Sequence, residues 1–459
     1  MHLSLPDFGR VGAERVSLPE PDAGLLARLS GLPHVALLDS ASGGRYTLIA
    51  AQPRARLTWR PGKGELRVPG GGVATADDPF GLLQEALHAT RTHADTPLEW
   101  GPGWIGLFGY GLRRALEEVP ERHENETDIE DLDLSYYPAV AVHDAERAEW
   151  WLVWREACRD AAQHLLGRLM HPAPPLRGAL PARDAIRSCV KREEYLAAAA
   201  QAVEYVRAGD VFQVNYSHEF RFPYEGDPLA LYLALRRTNP APYSAYLDLG
   251  QGRAVLSTSP ELFLHVRGRE VVTRPIKGTR PRGEDTEQDR GLRQELLNSE
   301  KDAAELAMIV DLERNDLGKV CEPGSVAVGR ERFVESYASV HHLVAEVRGR
   351  IEEGLGRCAL LEACFPGGSI TGAPKVRAMQ IIDELEAGRR GPYTGSIGWL
   401  GDNGALDLNI AIRTAVLGKG VVRVHVGGGI VADSQPEAEY AETLAKGEAM
   451  FRALSSPGV

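Results

Sequence analysis

The chain has 459 residues, 43% of them hydrophobic and 25% charged, a globular balance that excludes disordered and fibrous classes and leaves room for two large domains or about three ordinary ones. Its 52 Lys plus Arg face 64 Asp plus Glu, a formal net charge of −12, which argues against nucleic acid or an anionic membrane as the main partner. Five cysteines without a C-x-x-C spacing exclude a disulfide-stapled fold and a zinc ribbon, and the absence of a leader-like start or a long apolar run predicts a soluble, cytoplasmic protein with reduced thiols.

In chain order, residues 34–40 and 46–50 read as strands around the turn Ser42-Gly43-Gly44. Residues 69–73, with three consecutive glycines, read as a hairpin or loop. Phe80, Leu82, Leu83 and Leu87 give helical spacing over 79–90. Residues 103–110 and 150–154 read as strands. The Pro-rich segment 171–184 is the predicted linker between an N-terminal region (1–170) and a second region (185–455). Helices are predicted over 191–208 and 227–238, and strands over 254–257, 262–266 and 271–273. One long helix is predicted from about 286 to 310, then strands over 395–400, 405–415 and 421–426, and a last helix from near Gln435. No βαβ rhythm emerges. The expected class is α+β, with antiparallel sheets forming a sandwich flanked by helices and two intertwined subdomains.

Several motifs fail on inspection. Gly101-Pro-Gly103-Trp-Ile-Gly106 has dinucleotide-loop lettering, but a proline sits inside it and a glycine-rich strand follows. Gly367 to Gly372 has the glycine spacing of a P-loop, yet Ala373-Pro374 replaces the Lys-Ser/Thr. His341-His342 cannot share one helical face for zinc.

The remaining constellations carry more. Gly427-Gly428-Gly429 lies between a strand and a helix start, with Ser434-Gln435-Pro436-Glu437 as a capping box, so backbone N–H groups there could meet an anion; a tight turn is the bland reading. Glu439, Glu442 and Lys446 share one face of that helix, which a solvated salt-bridge face would equally explain. Phe365-Pro-Gly-Gly-Ser-Ile-Thr-Gly-Ala-Pro-Lys375 precedes another helix, with Thr371 as a plausible cap. Glu305 sits among apolar turns, and with Glu442 it offers two hard oxygen donors suited to Mg²⁺. Lys277, between Pro-Ile and Gly, is poorly placed for a simple surface charge, although for a lone lysine the exposed reading is the commoner one.

Together these motifs resemble the chorismate-utilising enzyme family. The residues carrying the resemblance are Pro275-Ile-Lys-Gly-Thr279, Ile309-Val-Asp-Leu-Glu-Arg-Asn-Asp-Leu-Gly318, the 365–375 loop, Tyr393-Thr-Gly-Ser-Ile-Gly398 and Gly427-Gly-Gly-Ile-Val-Ala-Asp-Ser434. It covers residues 185–452 strongly and the N-terminal region more weakly, through Leu37-Leu-Asp-Ser40 and Gly106-Leu-Phe-Gly-Tyr110. Where isochorismate-forming members have a water-activating lysine, this chain has Gln213, and an amide cannot serve as that base. Lys277 matches the branch that forms 4-amino-4-deoxychorismate for 4-aminobenzoate and folate, whereas anthranilate-forming members typically have Ala there. Arg280-Pro-Arg-Gly283 is also common in the anthranilate-forming branch, so that product stays open as the alternative.

The resemblance implies roles residue by residue. Lys277 is the nucleophile and Glu261 the general acid. Glu305 and Glu442 hold Mg²⁺. Thr279, His342, Thr371, Tyr393, Arg413, the N–H groups of Gly427, Gly428 and Gly429, and Lys446 bind chorismate. It further implies ammonia from a separate glutamine amidotransferase subunit, and a tryptophan pocket around Ser40, Tyr46, Pro242 and Tyr243. No nucleic-acid or membrane partner is expected.

Overall fold

The computed structural model describes residues 6–68, 71–92, 98–172, 175–337 and 340–455. Residues 69–70 of the predicted hairpin and 173–174 of the predicted linker lie outside them. Many strands are buried along their whole length: Ala36–Asp39, Gly103–Phe108, Leu132–Tyr137 and Ala139–Asp144 show no exposed position. Strands of this kind need cover on both faces.

The fold supplies that cover by stacking two antiparallel sheets and coating each with helices. The first sheet runs, edge to edge, Val11–Val16, Glu149–Arg155, Ala139–Asp144, Tyr46–Ala50, Ala36–Asp39, Tyr243–Gly250, Arg253–Ser259, Thr414–Gly418, Val421–Ile430, Gln213–Pro223 and Arg187–Ser188. The second runs Ile276–Pro281, Val340–Arg350, Glu270–Arg274, Leu262–Arg267, Leu406–Asn409, Ser396–Gly401, Gly103–Phe108, Leu132–Tyr137, Ala55–Arg60, Lys63–Arg67 and Val73–Ala76. One core, with Leu38, Leu48, Val142 and Val255 against Ile105, Leu107, Ile397 and Trp399, fills the space between the sheets. A second core packs the first sheet against the helices Arg159–Met170, Pro228–Thr238 and Pro436–Ala453. A third packs the other sheet against Pro79–Thr90, Glu300–Gly318 and Arg357–Cys364 and extends to Lys375–Leu385, which lies against the first-sheet strand Gln213–Pro223. The fold is therefore α+β, a helix-flanked antiparallel sandwich. Strands from either side of 171–184 pair in both sheets, Ala36–Asp39 with Tyr243–Gly250 and Gly103–Phe108 with Ser396–Gly401, so the two chain halves interleave.

Three expectations are corrected. The single helix over 286–310 is two, Thr286–Asn298 and Glu300–Gly318, because Ser299 leaves the helix and its side chain caps Asp302 N–H. The single strand over 405–415 is two, Leu406–Asn409 and Thr414–Gly418, which belong to different sheets. The residues between them are apolar because the crossover itself is packed. Finally, Gly427 to Gly429 form no loop. They continue the strand Val421–Ile430, paired with Ser217, Tyr216 and Asn215. All five cysteines are free, four of them buried. Among the described residues no helix is long and apolar enough to cross a membrane.

Candidate active site

The chain switches sheets twice at one end of the sandwich. Arg253–Ser259 lies in the first sheet and Leu262–Arg267 in the second; Pro260 and Glu261 make the step. Ile410 to Arg413 make the return step. The two crossovers lie side by side: the Glu261 carbonyl accepts from Ile410 N–H at 3.0 Å, and Ser259 Oγ donates to the Ile410 carbonyl at 2.6 Å. Glu261 and Arg413 are thus fixed at the place where the sheets part. Arg413 holds a left-handed φ of +50°, a conformation costing a non-glycine residue roughly 1–3 kcal/mol unless its surroundings enforce it.

Lys277 reaches this place from the edge strand Ile276–Pro281. The pairing with Val340–Arg350 slips between Lys277, opposite Leu343, and Thr279, opposite His342, leaving Gly278 as a bulge residue at φ +78°. A Cβ on Gly278 would stand 2.8 Å from Asp302 Cγ, so glycine is demanded by space and by conformation. Lys277 Nζ donates to the Ser369 carbonyl at 3.3 Å. It is only half-buried by accessible surface, yet protein surrounds it closely enough that burial lowers its pKa from the ordinary lysine range, against the pull of Glu305 and then Glu261. Burial likewise pushes Glu261 up to about 7, although the Ser369 hydroxyl, Lys277, Ile276 N–H and Arg413 all favour its anion. Burial thus shifts the two neighbours in opposite directions, the carboxyl up and the amine down.

Glu305, on Glu300–Gly318, also rises through burial, with Lys277 as its main opposing charge and Asp302 and Glu442 adding repulsion. Glu442, on Pro436–Ala453, would rise by burial, but Lys446, 2.7 Å away, outweighs this and leaves it below the usual range. Lys446 also donates to the Gly427 carbonyl at 3.4 Å. Gly427 and Gly429 are demanded by space, since a Cβ would meet the Tyr216 carbonyl at 2.6 Å and Gln213 Nε2 at 2.7 Å respectively; at Gly428 the nearest atom, Lys446 Nζ, would be in ordinary contact at 3.4 Å. Only Val421 to Val424 have a strand partner on the side of Thr414–Gly418, so the glycines offer an open backbone edge rather than the expected loop.

His342 is buried, pushed down to about 3 by burial and then by Arg413. Arg413 Nη2 lies 3.3 Å from His342 Nε2, which must therefore accept, so His342 Nδ1 carries the hydrogen and donates to Thr279 Oγ1 at 2.9 Å. Arg413 also reaches Asn239 Oδ1 at 3.4 Å. Tyr393 is buried with its ring stacked on His425, 5.1 Å between centroids, and burial pushes its hydroxyl up to about 12.

Thr371 is no helix cap. Pro374 holds that position, and the Thr371 hydroxyl donates to the Gly367 carbonyl at 3.0 Å within its own loop. The capping box at Ser434 is also absent: Gln435 is the cap residue, Ser434 Oγ donates to Glu439 Oε1 at 2.6 Å, and Glu437 pairs with Arg192.

Two site residues escape the sequence reading. Ser369 touches both Lys277 and Glu261; its only signal is a hydroxyl inside a glycine-rich apolar loop. Glu439 looks like part of a solvated face but is buried, which raises its pKa, with Glu442 repelling it and Ser434 opposing the rise.

The four residues expected around a tryptophan pocket come together elsewhere. Ser40, Tyr46, Pro242 and Tyr243 line a cavity of about 480 Å³, with Trp100, Arg274 and Glu346 also in its walls. Lys277, Glu261, Glu305 and Glu442 are absent from that lining.

Over residues 33–452 the sequence matches the family described as chorismate binding enzyme. It is 42% identical over 450 residues to aminodeoxychorismate synthase component 1 of Klebsiella aerogenes, covering 96% of this chain and 99% of that one. It is 41% identical over 435 residues to anthranilate synthase component 1 of Thermus thermophilus, covering 91% of each. Among solved structures, anthranilate synthase component I from Streptococcus pneumoniae superposes with a TM-score of 0.79 at 32% identity, over 89% of this chain and 92% of that one.

Proposed function

The chain belongs to the chorismate-binding enzyme family, and from that premise we propose that it transfers nitrogen to C4 of chorismate, giving 4-amino-4-deoxychorismate. Overall similarity does not choose the product, since relatives named for either amination stand at 42% and 41% identity. The observation that carries the choice is the placement of the Lys277 amine on the Ser369 carbonyl, next to Glu261 on the Ser369 hydroxyl, where burial lowers the pKa of the amine and raises that of the carboxyl.

In this reading Lys277 Nζ attacks C2 of chorismate as the C4–O bond breaks and the ring double bonds shift. Glu261 protonates the departing hydroxyl, which leaves as water. The proton surplus on the new secondary ammonium returns to Glu261. Ammonia then forms a bond to C4, the double bonds shift back, and the C2–N bond to Lys277 breaks, restoring the free amine with a proton taken from the incoming nitrogen. Two displacements leave nitrogen at C4, whereas direct attack of ammonia at C2 leads toward anthranilate. Ser369 keeps the lysine and the acid in register. Arg413, its hydrogen-bonding capacity shared with neutral His342, and Tyr393 suit the enolpyruvyl carboxylate. Thr279 and Thr371 border the ring.

The donor set suits a hard dication. Glu305 and Glu442 repel one another, Glu305 has Lys301 only at 3.9 Å, and Lys446 stands beside Glu442 as a positive neighbour. Among the described residues no three metal-ligating side chains gather as a cluster; Mg²⁺ commonly uses one or two carboxylates and leaves the other positions to substrate and water. Glu305 and Glu442 would hold it, and when bound it neutralises the ring carboxylate and orients the ring. The relatives' designation as component 1 supports a partner component, here a glutamine amidotransferase that supplies ammonia. The 480 Å³ cavity, with aromatic walls and charged ends, suits tryptophan.

The test is product analysis by mass spectrometry from chorismate, Mg²⁺ and ammonium. The 4-amino product is expected; anthranilate as the sole product would overturn the reading.

A further inference from the structure

Glu313 belongs to none of the roles above. It lies about two turns beyond Glu305 on the helix Glu300–Gly318, only 3% exposed. Its Oε1 accepts from the Gly368 backbone N–H at 3.2 Å. Gly368 opens the short turn Gly368–Ile370. The middle residue of that turn, Ser369, accepts from Lys277 Nζ on its carbonyl and donates from its hydroxyl to Glu261. The approach is close: a Cβ on Gly368 would stand 2.5 Å from Leu312 Cδ2 and 3.3 Å from Glu313 Oε1. The same helix grips the far end of the loop, where Lys375 Nζ bonds Asp316 Oδ2 at 2.5 Å and the Cys364 carbonyl at 2.8 Å. One rigid helix thus presents Glu305 to the cleft and clamps the 365–375 loop at both ends.

We propose that Glu313 is a positioning residue: by holding the Gly368 N–H it fixes the turn that sets Ser369 between Lys277 and Glu261. The assignment rests on the roles given to Lys277 and Glu261 above. Burial, with Asp316 adding repulsion, pushes Glu313 up to about 8, so it sits there mostly as a neutral acceptor. A Gln amide oxygen should therefore replace it.

The test uses the full chain, with chorismate consumption in ammonium and Mg²⁺ counted to any product. E313L removes the acceptor, E313D shortens its reach, and E313Q keeps it. Loss of register at a reacting pair commonly costs about 10–100-fold in kcat, so E313L and E313D should fall by that much with KM unchanged to within about threefold. E313Q should stay within about threefold of the parent enzyme. Hydrogen exchange of the peptide spanning 365–374 should quicken about tenfold or more in E313L and E313D, but not in E313Q. A residue that merely stabilised the fold would lower Tm and leave kcat of the folded enzyme unchanged. Should E313L not fold, E313D carries the test. Parent-like kcat in E313D, or exchange unchanged by either substitution, would overturn the proposal. Anthranilate as the parent enzyme's product would defeat the C4 reading alone, because consumption is counted whatever the product.

Discussion

The cleft around Lys277 and the cavity around Tyr46 use similar residues in opposite ways. In the cavity, charges arrive paired. Arg274 Nη2 is 2.7 Å from Glu346 Oε2, and although burial alone would raise Glu346, Arg274 and Arg348 hold it below the usual carboxylate range. In the cleft, Glu261 and Glu305 are raised and Lys277 is lowered, because no partner compensates fully for burial. Paired charges make a wall that recognises; incompletely paired ones make groups that exchange protons near neutral pH. The difference supports the proposal that the chemistry takes place in the cleft and not in the cavity.

The sharpest way to break this contrast is K277A. Removing a nucleophile that forms a covalent intermediate should cut formation of the 4-amino product by about 1,000-fold or more, with chorismate affinity altered only a few-fold. Product chromatography and equilibrium binding check the two halves. The same changes at Tyr46 in the cavity should leave turnover within about twofold.

The next effect is pH dependence. Glu261 works protonated, and with its pKa at about 7 the working form is lost as pH rises through that value. Lys277 works neutral, and its lowered pKa means the working form is gained as pH rises. The profile of kcat/KM should be a bell whose acid limb belongs to the amine and whose alkaline limb belongs to the carboxyl, read as values of the coupled pair. E261Q should lose about 100-fold or more in kcat and lose the alkaline limb. An unchanged limb would assign it elsewhere.

A smaller effect concerns folding. Gly278→Ala must place a side chain at φ +78° against Asp302. Denaturant titration should show a loss of about 1–3 kcal/mol. Smallest of all is the response to tryptophan: calorimetry should detect binding to the parent chain and none to Y46A, while both turn over chorismate alike. Absence of heat with the parent chain would remove tryptophan from the cavity.

Much of this fold is legible where a cap or a period speaks locally. Pro79–Thr90 can be read end to end because Asp78 caps it and Pro79 opens it. The helix bearing Glu442 announces itself through Pro436 in its first turn, whereas the strand Ile276–Pro281 that carries Lys277 goes unread. Legibility fails where tertiary packing overrides local cues. Ile410 to Ile412 look like strand because they are apolar, yet they make the crossover that delivers Arg413. Gly427 to Gly429 look like a loop because they are glycines, yet they are strand residues, and at Gly427 and Gly429 the missing side chain lets the Tyr216 carbonyl and Gln213 approach. Glu439 shows the period of its helix face, but nothing local tells a buried carboxylate from a solvated one, and Ser369 carries no periodic signal, since its partners Lys277 and Glu261 are far away in sequence. The resemblance to a family supplied what spacing could not, namely which lysine matters.

The most direct measurement of the central claim is mass spectrometry of the enzyme mixed with chorismate and Mg²⁺ in the absence of ammonia, followed by peptide mapping. A ring adduct, chorismate less water, is expected on the peptide containing Lys277, discharged as 4-amino-4-deoxychorismate when ammonium is added. An unmodified Lys277 together with a K277A enzyme that still yields the 4-amino product at the parent rate would contradict it.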